Sequence, residues 1–236
     1  MIIIAGANGC GKTTLKRTLL AHPWTDGCEF INPDDYARDM FGGWDRSESF
    51  KEAQVYATKL TDDLIEAGES IVLETAFSSE RKLYLVEKAK KLGYFIRIYF
   101  IGTDNPTINA ARVCRRMMEG GHEVLLRDII KRHKGALNTC VSAAPFIDRL
   151  YIFDNSADNR DPIELFRARE GYLVESKICP AILDHDWSKD LLKNIAEVLN
   201  VAQEASITEC AIANDSYDVK VAKAVEVNEA LAVAVT

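Results

Sequence analysis

Residues 2–20 read IIIAGANGCGKTTLKRTLL, and this stretch decides the fold. Its centre, residues 6–13, matches the phosphate-loop pattern G-x-x-x-x-G-K-[ST] at every specified position. The apolar run before the glycines suits a buried parallel strand, and an apolar-periodic stretch with Leu15, Leu19 and Leu20 follows the lysine. Strand, loop and helix therefore occur in the expected order, which argues against a chance match by a glycine-rich turn.

This loop predicts a site for a nucleoside triphosphate and Mg²⁺. Gly6 and Gly11 permit the tight turn and let backbone N–H groups approach phosphate oxygens, and the helix N-terminus adds partial positive charge. Lys12 is expected to reach the terminal phosphates, and Thr13 to coordinate Mg²⁺. The predicted nucleotide-binding residues of the loop are Gly6, Ala7, Asn8, Gly9, Cys10, Gly11, Lys12, Thr13 and Thr14.

The composition of the 236 residues fits one α/β domain with elaborations. A formal net charge of −7 argues against a general affinity for DNA or RNA, which relies on basic side chains. No stretch has the length of a membrane span and the N-terminus lacks signal-peptide features, so we expect a cytoplasmic protein without a membrane partner. The cysteines lack zinc spacing, which favours reduced thiols; Cys10 either fills a loop position or is sensitive to oxidation.

Apolar segments alternate with helical periodicity along the chain. The predicted strands are residues 2–5, 28–31, 70–73, 94–101 and 150–153, and the predicted helices follow the loop and cover residues 49–67, 79–92, 106–119, 127–141 and 188–201. The helix at residues 79–92 is basic and amphipathic. This alternation predicts a P-loop NTPase fold of three α/β/α layers, with a mainly parallel, doubly wound, five-stranded sheet and a helical lid.

The remaining segments complete the predicted domain organisation. Residues 164–177 are expected to form a hairpin around Gly171. We predict a kinase domain over residues 1–203, with the lid at about residues 106–141. Residues 204–236 end in an Ala- and Val-rich stretch whose apolar spacing fits neither a helix nor a strand. They are predicted to be a flexible or peripherally docked tail.

Carboxylates follow two of the predicted strands. Asp34 and Asp35 come after the second strand, and Glu74 and Thr75 end the third, so all should emerge at the edge that carries the phosphate loop. Asp34 is the candidate base that accepts the proton of an attacking hydroxyl. Glu74, with Thr75 and Asp35, is predicted to contact the substrate. Alternatively, Asp34 caps the following helix or positions Mg²⁺ through water.

Basic residues bracket a glycine-rich turn in the predicted lid. They are Arg112, Arg115, Arg116, Arg127, Lys131 and Arg132, on either side of Gly120, Gly121 and His122. The layout suits guanidinium groups that fold over a transferring phosphate, although a solvated helix face explains most charge runs. His122 is better explained as a hinge or cap than as a catalyst. Asn155 either borders the nucleotide base or belongs to a plain Asx turn.

Several of these motifs together resemble the chromosomal branch of the zeta toxin family of P-loop kinases. The matching segments are GANGCGKTT at residues 6–14, FINPDD at 30–35, VLETAFS at 72–78, ARVCRRMMEGGHEV at 111–124, DIIKRH at 128–133 and FDNS at 153–156. The resemblance spans about residues 2–156 in order. The G-G-H element after two lid arginines is its most specific part, because very many proteins share the phosphate loop.

The resemblance implies a kinase that phosphorylates the sugar of UDP-N-acetylglucosamine with ATP or GTP and Mg²⁺, and a possible antitoxin partner that blocks the nucleotide site. By that resemblance Lys12 and Thr13 bind nucleotide and metal, Asp34 is the base and Glu74 contacts the sugar. The best-matched lid arginines are Arg116 and Arg132, followed by Arg112 as a nucleotide ligand.

The sequence departs from the family within the lid. Leu125 and Leu126 occupy positions where the family usually has proline and an acidic residue, and His133 occupies a later tyrosine position. We therefore expect the lid to pack differently. The acceptor follows from the family alone, since nothing in the spacing identifies it.

Two other functions compete with the toxin-type kinase. One is a housekeeping kinase of the same architecture that acts on a metabolite or nucleotide, and it would differ in the acceptor pocket. The other is a non-catalytic module that changes shape when ATP binds. A motor ATPase is disfavoured because no apolar strand ends in an Asp-Glu pair. A pocket sized for uridine diphosphate, with basic groups beyond Glu74, would support the toxin-type kinase.

Overall fold

The protein, seen in a computed structural model, has a central sheet with helices on both faces. The structure describes residues 1–43, 47–120, 124–174, 178–179, 181–182 and 185–213. Within these ranges the sheet has seven strands in the order β2-β3-β1-β4-β5-β6-β7. The strands are β1 (Ile2–Ala5), β2 (Glu29–Ile31), β3 (Ile71–Thr75), β4 (Arg97–Gly102), β5 (Arg149–Asp154), β6 (Ile163–Arg169) and β7 (Tyr172–Leu173).

The five strands predicted as parallel are all present and pair in parallel with one another, in the order β2-β3-β1-β4-β5. All four residues of β1 are buried, because this strand lies in the middle of the sheet between two helical layers. The predicted hairpin extends the sheet as β6 and β7, which pair antiparallel. Glu170 and Gly171 join them with φ angles of 52° and 83°, as a two-residue type I′ turn requires.

The helices confirm the predicted alternation, with ends that differ by a few residues. They are α1 (Lys12–Leu20), α2 (Pro33–Asp39), α3 (Ser47–Glu66), α4 (Glu80–Lys91), α5 (Pro106–Met118), α6 (Leu126–Ala143) and α7 (Asp186–Ala213). The last helix continues past residue 203, where the sequence predicted the domain to end. Residues 214–236 of the predicted tail lie outside the described residues.

Alternation along the strands divides the core into two apolar layers. Ile3 and Ala5 of β1 face the larger layer, which contains buried side chains of α3, α4, α6 and α7. Ile2 and Ile4 face the opposite side, where they pack with Leu15 of α1. The three-layer α/β/α arrangement is therefore confirmed. Within the described ranges, none of the helices combines the length and apolarity that crossing a membrane needs.

One close contact fixes α7 against the end of β4. A Cβ atom added to Gly102 would lie 2.3 Å from the Cη2 atom of Trp187, a side chain that is only 8% exposed. We expect Gly102→Ala to lower the free energy of unfolding by about 1–3 kcal/mol, because the buried indole must shift. Urea unfolding should show a smaller cost of the same change in a Trp187→Leu background. An equal cost in both backgrounds would show that the indole is not the obstacle.

Candidate active site

The phosphate loop leaves β1 at the centre of the sheet and enters α1. Gly6, Gly9 and Gly11 have positive φ angles of 145°, 80° and 102°. Gly11 is the N-cap of α1 and supplies no side-chain hydrogen bond to the first turn. The N–H groups at such a helix N-terminus have no intrahelical acceptors and attract anions. The loop therefore fits the triphosphate that the sequence predicts.

A cavity of about 340 Å³ lies beside the loop, and we call it the loop-side cavity. The residues that line it are Asn8, Gly9, Gly11, Lys12, Thr13, Asn32, Asp34, Asp35, Arg38, Glu74, Arg112, Val113 and Arg116. The Lys12 ammonium donates to the backbone oxygens of Gly6 and Ala7, at 2.8 and 3.1 Å. Of the predicted loop residues, Gly6, Ala7, Cys10 and Thr14 lie outside this lining.

Oxygen atoms for a metal ion are present in the same lining. The hydroxyl of Thr13 and the carboxylates of Asp34 and Asp35 are the hard ligands that Mg²⁺ prefers. In the part of the chain that the structure describes, no group of three or more His, Cys, Asp or Glu side chains could hold a metal ion. A Mg²⁺ ion at Thr13 would take its other ligands from nucleotide phosphates and water, as this ion commonly does.

Cys10 lies inside the loop, where the sequence left its role open. Its side chain is 1% exposed, and burial raises the pKa of its thiol. Lys12 opposes that shift without overcoming it. Because the thiolate is the reactive form, this thiol fills a loop position and is poorly suited to reaction with oxidants.

A second cavity of about 310 Å³, which we call the outer cavity, lies between α3, α4 and the end of β3. Both cavities are lined by Asn8, Lys12, Asn32, Asp34 and Glu74. The outer cavity alone is also lined by polar side chains that include Gln54, Thr58, Thr61, Thr75, Ser78 and Ser79, and by the basic side chains of Arg81, Lys82 and Arg132. The two cavities therefore meet along a shared wall of polar and charged groups.

Asp34 lies in this shared wall, in the first turn of α2. The side chain that caps the helix is Asn32, whose Oδ1 atom accepts a hydrogen bond from the Asp34 N–H at 2.9 Å. Within the described ranges no hydrogen bond or ion pair holds the Asp34 carboxylate. The capping role considered for Asp34 therefore belongs to Asn32, and Asp34 lines both cavities.

Glu74 is a buried carboxylate at the end of β3, with 8% of its surface exposed. Its Oε2 atom accepts a hydrogen bond from Asn32 Nδ2 at 3.1 Å and lies 3.6 Å from Lys16 Nζ. Burial raises the pKa of Glu74, and Lys12 and Lys16 oppose this shift. Neither Asn32 nor Lys16 is among the site residues predicted from the sequence. An Asn before Pro33 is a helix-cap signal, but nothing local points to the contact with Glu74.

The other two predicted substrate residues, Thr75 and Asp35, line different cavities. Thr75 lines the outer cavity, and its hydroxyl oxygen accepts a hydrogen bond from the Phe77 N–H at 3.1 Å. Asp35 lines only the loop-side cavity, where it pairs with Lys16 at 3.1 Å and Arg38 at 3.2 Å. This position gives no support to the predicted contact between Asp35 and the acceptor.

The lid arginines divide between the two cavities. Arg116 lines the loop-side cavity, and Arg132 lines the outer cavity and donates to Asn8 Oδ1 at 2.9 Å. Arg112 also lines the loop-side cavity, but its guanidinium donates to the backbone oxygens of Asn155 and Ala157 and to the Asp158 carboxylate.

The rest of the basic set lies away from the cavities. Arg115 is 3.6 Å from Asp158, and Arg127 and Lys131 are exposed, so the solvated-face alternative suits these three residues. Gly121 and His122 lie outside the described residues. At the positions that depart from the family, Leu125 is the N-cap residue of α6, and His133 Nε2 lies 2.9 Å from the Thr103 carbonyl oxygen.

Asn155 contacts the loop and is absent from the lining of both cavities. It lies just after β5, and its Nδ2 atom donates to the Cys10 carbonyl oxygen at 2.8 Å. The predicted contact with the nucleotide base gains no support from this position. Asp154 and Ser156 form the Asx turn considered as the alternative, because the Ser156 N–H donates to Asp154 Oδ2 at 3.2 Å.

Known proteins are similar to this chain in sequence or in structure. An uncharacterized protein of Haemophilus influenzae (strain ATCC 51907 / DSM 11121 / KW20 / Rd) is 25% identical over 130 residues, which cover 55% of this chain and 89% of that protein. The crystal structure of AvrRxo1-ORF1:AvrRxo1-ORF2 with sulphate ions matches with a TM-score of 0.53 at 17% identity, over 86% of this chain and 75% of that chain. This match supports the fold.

A structure of the PezAT chromosomal toxin-antitoxin system of Streptococcus pneumoniae matches with a TM-score of 0.49 at 16% identity, over 86% of this chain and 87% of that chain. The family model described as zeta toxin matches residues 1–170, which is most of the sequence and includes every residue of the two cavities. The chain therefore belongs to the zeta toxin family of P-loop kinases.

Proposed function

We propose that this chain transfers the γ-phosphate of ATP, or of GTP, to a hydroxyl group of a UDP-sugar such as UDP-N-acetylglucosamine. The observation that carries the proposal is the position of Asp34. Asp34 lines both the loop-side cavity, which suits the triphosphate, and the outer cavity, which suits an acceptor. A base at such a junction can reach a hydroxyl that faces the terminal phosphate.

In the proposed reaction, the oxygen of the acceptor hydroxyl attacks the γ-phosphorus, and Asp34 accepts the proton of that hydroxyl. The bond from phosphorus to the β–γ bridging oxygen breaks, and the nucleoside diphosphate leaves. Lys12, Arg116 and Arg132 line the cavities where charge develops and would stabilise it. Thr13 would hold Mg²⁺, which when bound would further neutralise the phosphates. Glu74 would orient the acceptor by accepting a hydrogen bond from a second hydroxyl.

The outer cavity supports an acceptor that carries negative charge. Lys82 is half-buried in its wall, and in the described part of the chain no hydrogen bond or ion pair reaches its ammonium. Burial lowers the pKa of Lys82, Arg81 adds to the shift, and Asp62 opposes it without overcoming it. An anionic ligand stabilises a half-buried ammonium group of this kind, because it supplies the missing opposite charge. Arg132 belongs to the same lining, and these basic groups suit the diphosphate of a UDP-sugar.

Membership of the zeta toxin family supports a second element of the proposal, an antitoxin protein that covers the nucleotide site. The test is whether a co-expressed candidate antitoxin inhibits nucleotide binding by this chain.

The direct test is transfer of labelled γ-phosphate from ATP with Mg²⁺ to UDP-N-acetylglucosamine, beside a panel of other sugar nucleotides, nucleosides and sugars. Lys12→Ala is the blank. Labelled UDP-sugar that is absent from the blank would support the proposal. Label on another acceptor would favour a housekeeping kinase, and bound ATP without transfer to any acceptor would favour a non-catalytic binding module.

Removing the proposed base should greatly lower turnover and leave the binding of ATP unchanged. We expect Asp34→Asn to lower kcat by about 10²–10⁴-fold, since that is the usual contribution of general base catalysis. The affinity for ATP, measured by calorimetry, should stay close to that of the unchanged protein. Asp39→Asn is the matched control, because Asp39 lies on the same helix, pairs with Arg38 and lines neither cavity. Equal turnover of Asp34→Asn and Asp39→Asn would remove Asp34 from the mechanism.

The ionised carboxylate of Glu74 should lower the free energy of unfolding at neutral pH. Burial raises its pKa above the usual 4.5, so the folded chain holds this proton more tightly than the unfolded chain does. Stability therefore falls as the pH rises from 4.5 through the folded pKa. Glu74→Gln should raise the free energy of unfolding at neutral pH, and the gain should disappear below pH 4.5.

Urea unfolding over this pH range measures the effect. Glu66→Gln, at an exposed residue that pairs with Lys88, is the control and should change stability little. A loss of stability in Glu74→Gln at neutral pH would show that the charges of Lys12 and Lys16 and the hydrogen bond from Asn32 together outweigh burial. Phosphate transfer should fall in Glu74→Gln alone, because a neutral amide binds a hydroxyl less strongly.

Lys82 should set the affinity for a charged acceptor. We expect Lys82→Gln to lower kcat/KM for a UDP-sugar by about 10–100-fold, mainly through KM, because a hydrogen bond to a charged group is lost. The KM for ATP should not change. Lys88→Gln is the control, since Lys88 lies on the same helix and pairs with Glu66 at 2.6 Å. An unchanged acceptor KM in Lys82→Gln would argue against an anionic group at this wall.

A further inference from the structure

Two buried asparagines contact the phosphate loop. Asn109 of α5 is 0% exposed, and its Nδ2 atom donates to the backbone oxygen of Asn8 at 2.9 Å. Asn155 is 8% exposed, and its Nδ2 atom donates to the backbone oxygen of Cys10 at 2.8 Å. Each asparagine therefore binds the carbonyl group that directly precedes a loop glycine, Gly9 or Gly11.

Both asparagines are held in place by other contacts. The Thr103 hydroxyl donates to Asn109 Oδ1, which leaves the amide nitrogen of Asn109 to face the loop. The backbone N–H of Asn155 donates to the Gly102 oxygen at 3.0 Å, and its backbone oxygen accepts from Arg112 at 2.8 Å. Neither side chain can turn away without leaving buried polar groups unpaired.

The two contacts determine where the glycine N–H groups point. In a trans peptide the C=O of one residue and the N–H of the next point in opposite directions. The described chain has no cis peptide, so the Gly9 and Gly11 N–H groups point away from Asn109 and Asn155. Neither N–H has a hydrogen-bond partner in the described ranges, and both glycines line the loop-side cavity.

The glycines are also what allows the asparagines to come so close. A Cβ atom added to Gly9 would lie 2.4 Å from the backbone oxygen of Asn109, and one added to Gly11 would lie 2.1 Å from Asn155 Nδ2. Any side chain at either position would displace the asparagine or the loop. Each glycine and its asparagine therefore form one packed unit.

We propose that Asn109 and Asn155 are positioning residues that orient the Gly9 and Gly11 amides toward the phosphate groups of the nucleotide. The inference rests on the proposed nucleotide binding and assigns Asn155 a role through the Cys10 carbonyl. Donors that are already oriented need no rearrangement when the anion arrives, so they contribute more to its binding.

The test compares the affinities for AMP and ADP by calorimetry in the presence of Mg²⁺. The ratio Kd(AMP)/Kd(ADP) isolates the contribution of the second phosphate, and a general loss of folding or of base binding cancels from it. We expect Asn109→Ala and Asn155→Ala each to lower this ratio about tenfold, the effect of one such hydrogen bond. Thr103→Val, which frees one end of Asn109, should lower it less and serves if Asn109→Ala does not fold.

Asn105→Ala is the matched control. Asn105 is the exposed N-cap of α5, where its Oδ1 atom accepts from the Thr107 N–H at 2.9 Å, so its loss weakens the same helix without touching the loop. This variant should keep the ratio. Equal ratios in all variants and the unchanged protein would overturn the positioning role. A ratio near one in the unchanged protein would also overturn the positioning role, whereas no measurable binding of ADP would overturn the proposed nucleotide binding itself.

Discussion

The active edge of this protein depends on how closely its phosphate loop is packed. A Cβ atom at Gly6 would lie 2.4 Å from the Ile101 backbone oxygen, and the approaches at Gly9 and Gly11 are as short. Three separate segments, β4, α5 and the turn after β5, therefore press on a loop of a few residues. Glycine is therefore needed in this loop because neighbouring segments approach it closely, as well as because phosphate binds to it.

The position of β1 explains why the other functional groups meet there. Because β1 lies between β3 and β4, its loop emerges beside the carboxyl ends of its neighbours. Glu74 comes from β3, Asp34 follows β2, and Asn155 follows β5. This convergence leaves a buried carboxylate at Glu74, where burial raises the pKa and the charges of Lys12 and Lys16 oppose that shift only in part.

Much of this could be predicted from local patterns. Apolar runs and helical periodicity predicted the five parallel strands, the main helices and the hairpin, and the motifs led to the zeta toxin family, which is confirmed. Strand ends also predicted that Asp34 and Glu74 share an edge. Contacts between distant residues could not be predicted: Asn32 and Glu74 are 42 positions apart, and no local signal joins them. Likewise, Lys82 belongs to a basic helix in the sequence, and only the packing of α4 places it in the lining of a cavity, where none of the described residues forms an ion pair with it.

The burial of Cys10 has a consequence for chemical control of the site. A cysteine in a nucleotide-binding loop invites attack by electrophilic drugs, which need an accessible thiolate. Here the thiol is shielded and its ionisation is disfavoured. We therefore expect covalent inhibitors aimed at Cys10 to react poorly. Chemical probes would instead have to bind in the two cavities, in competition with the nucleotide or the acceptor.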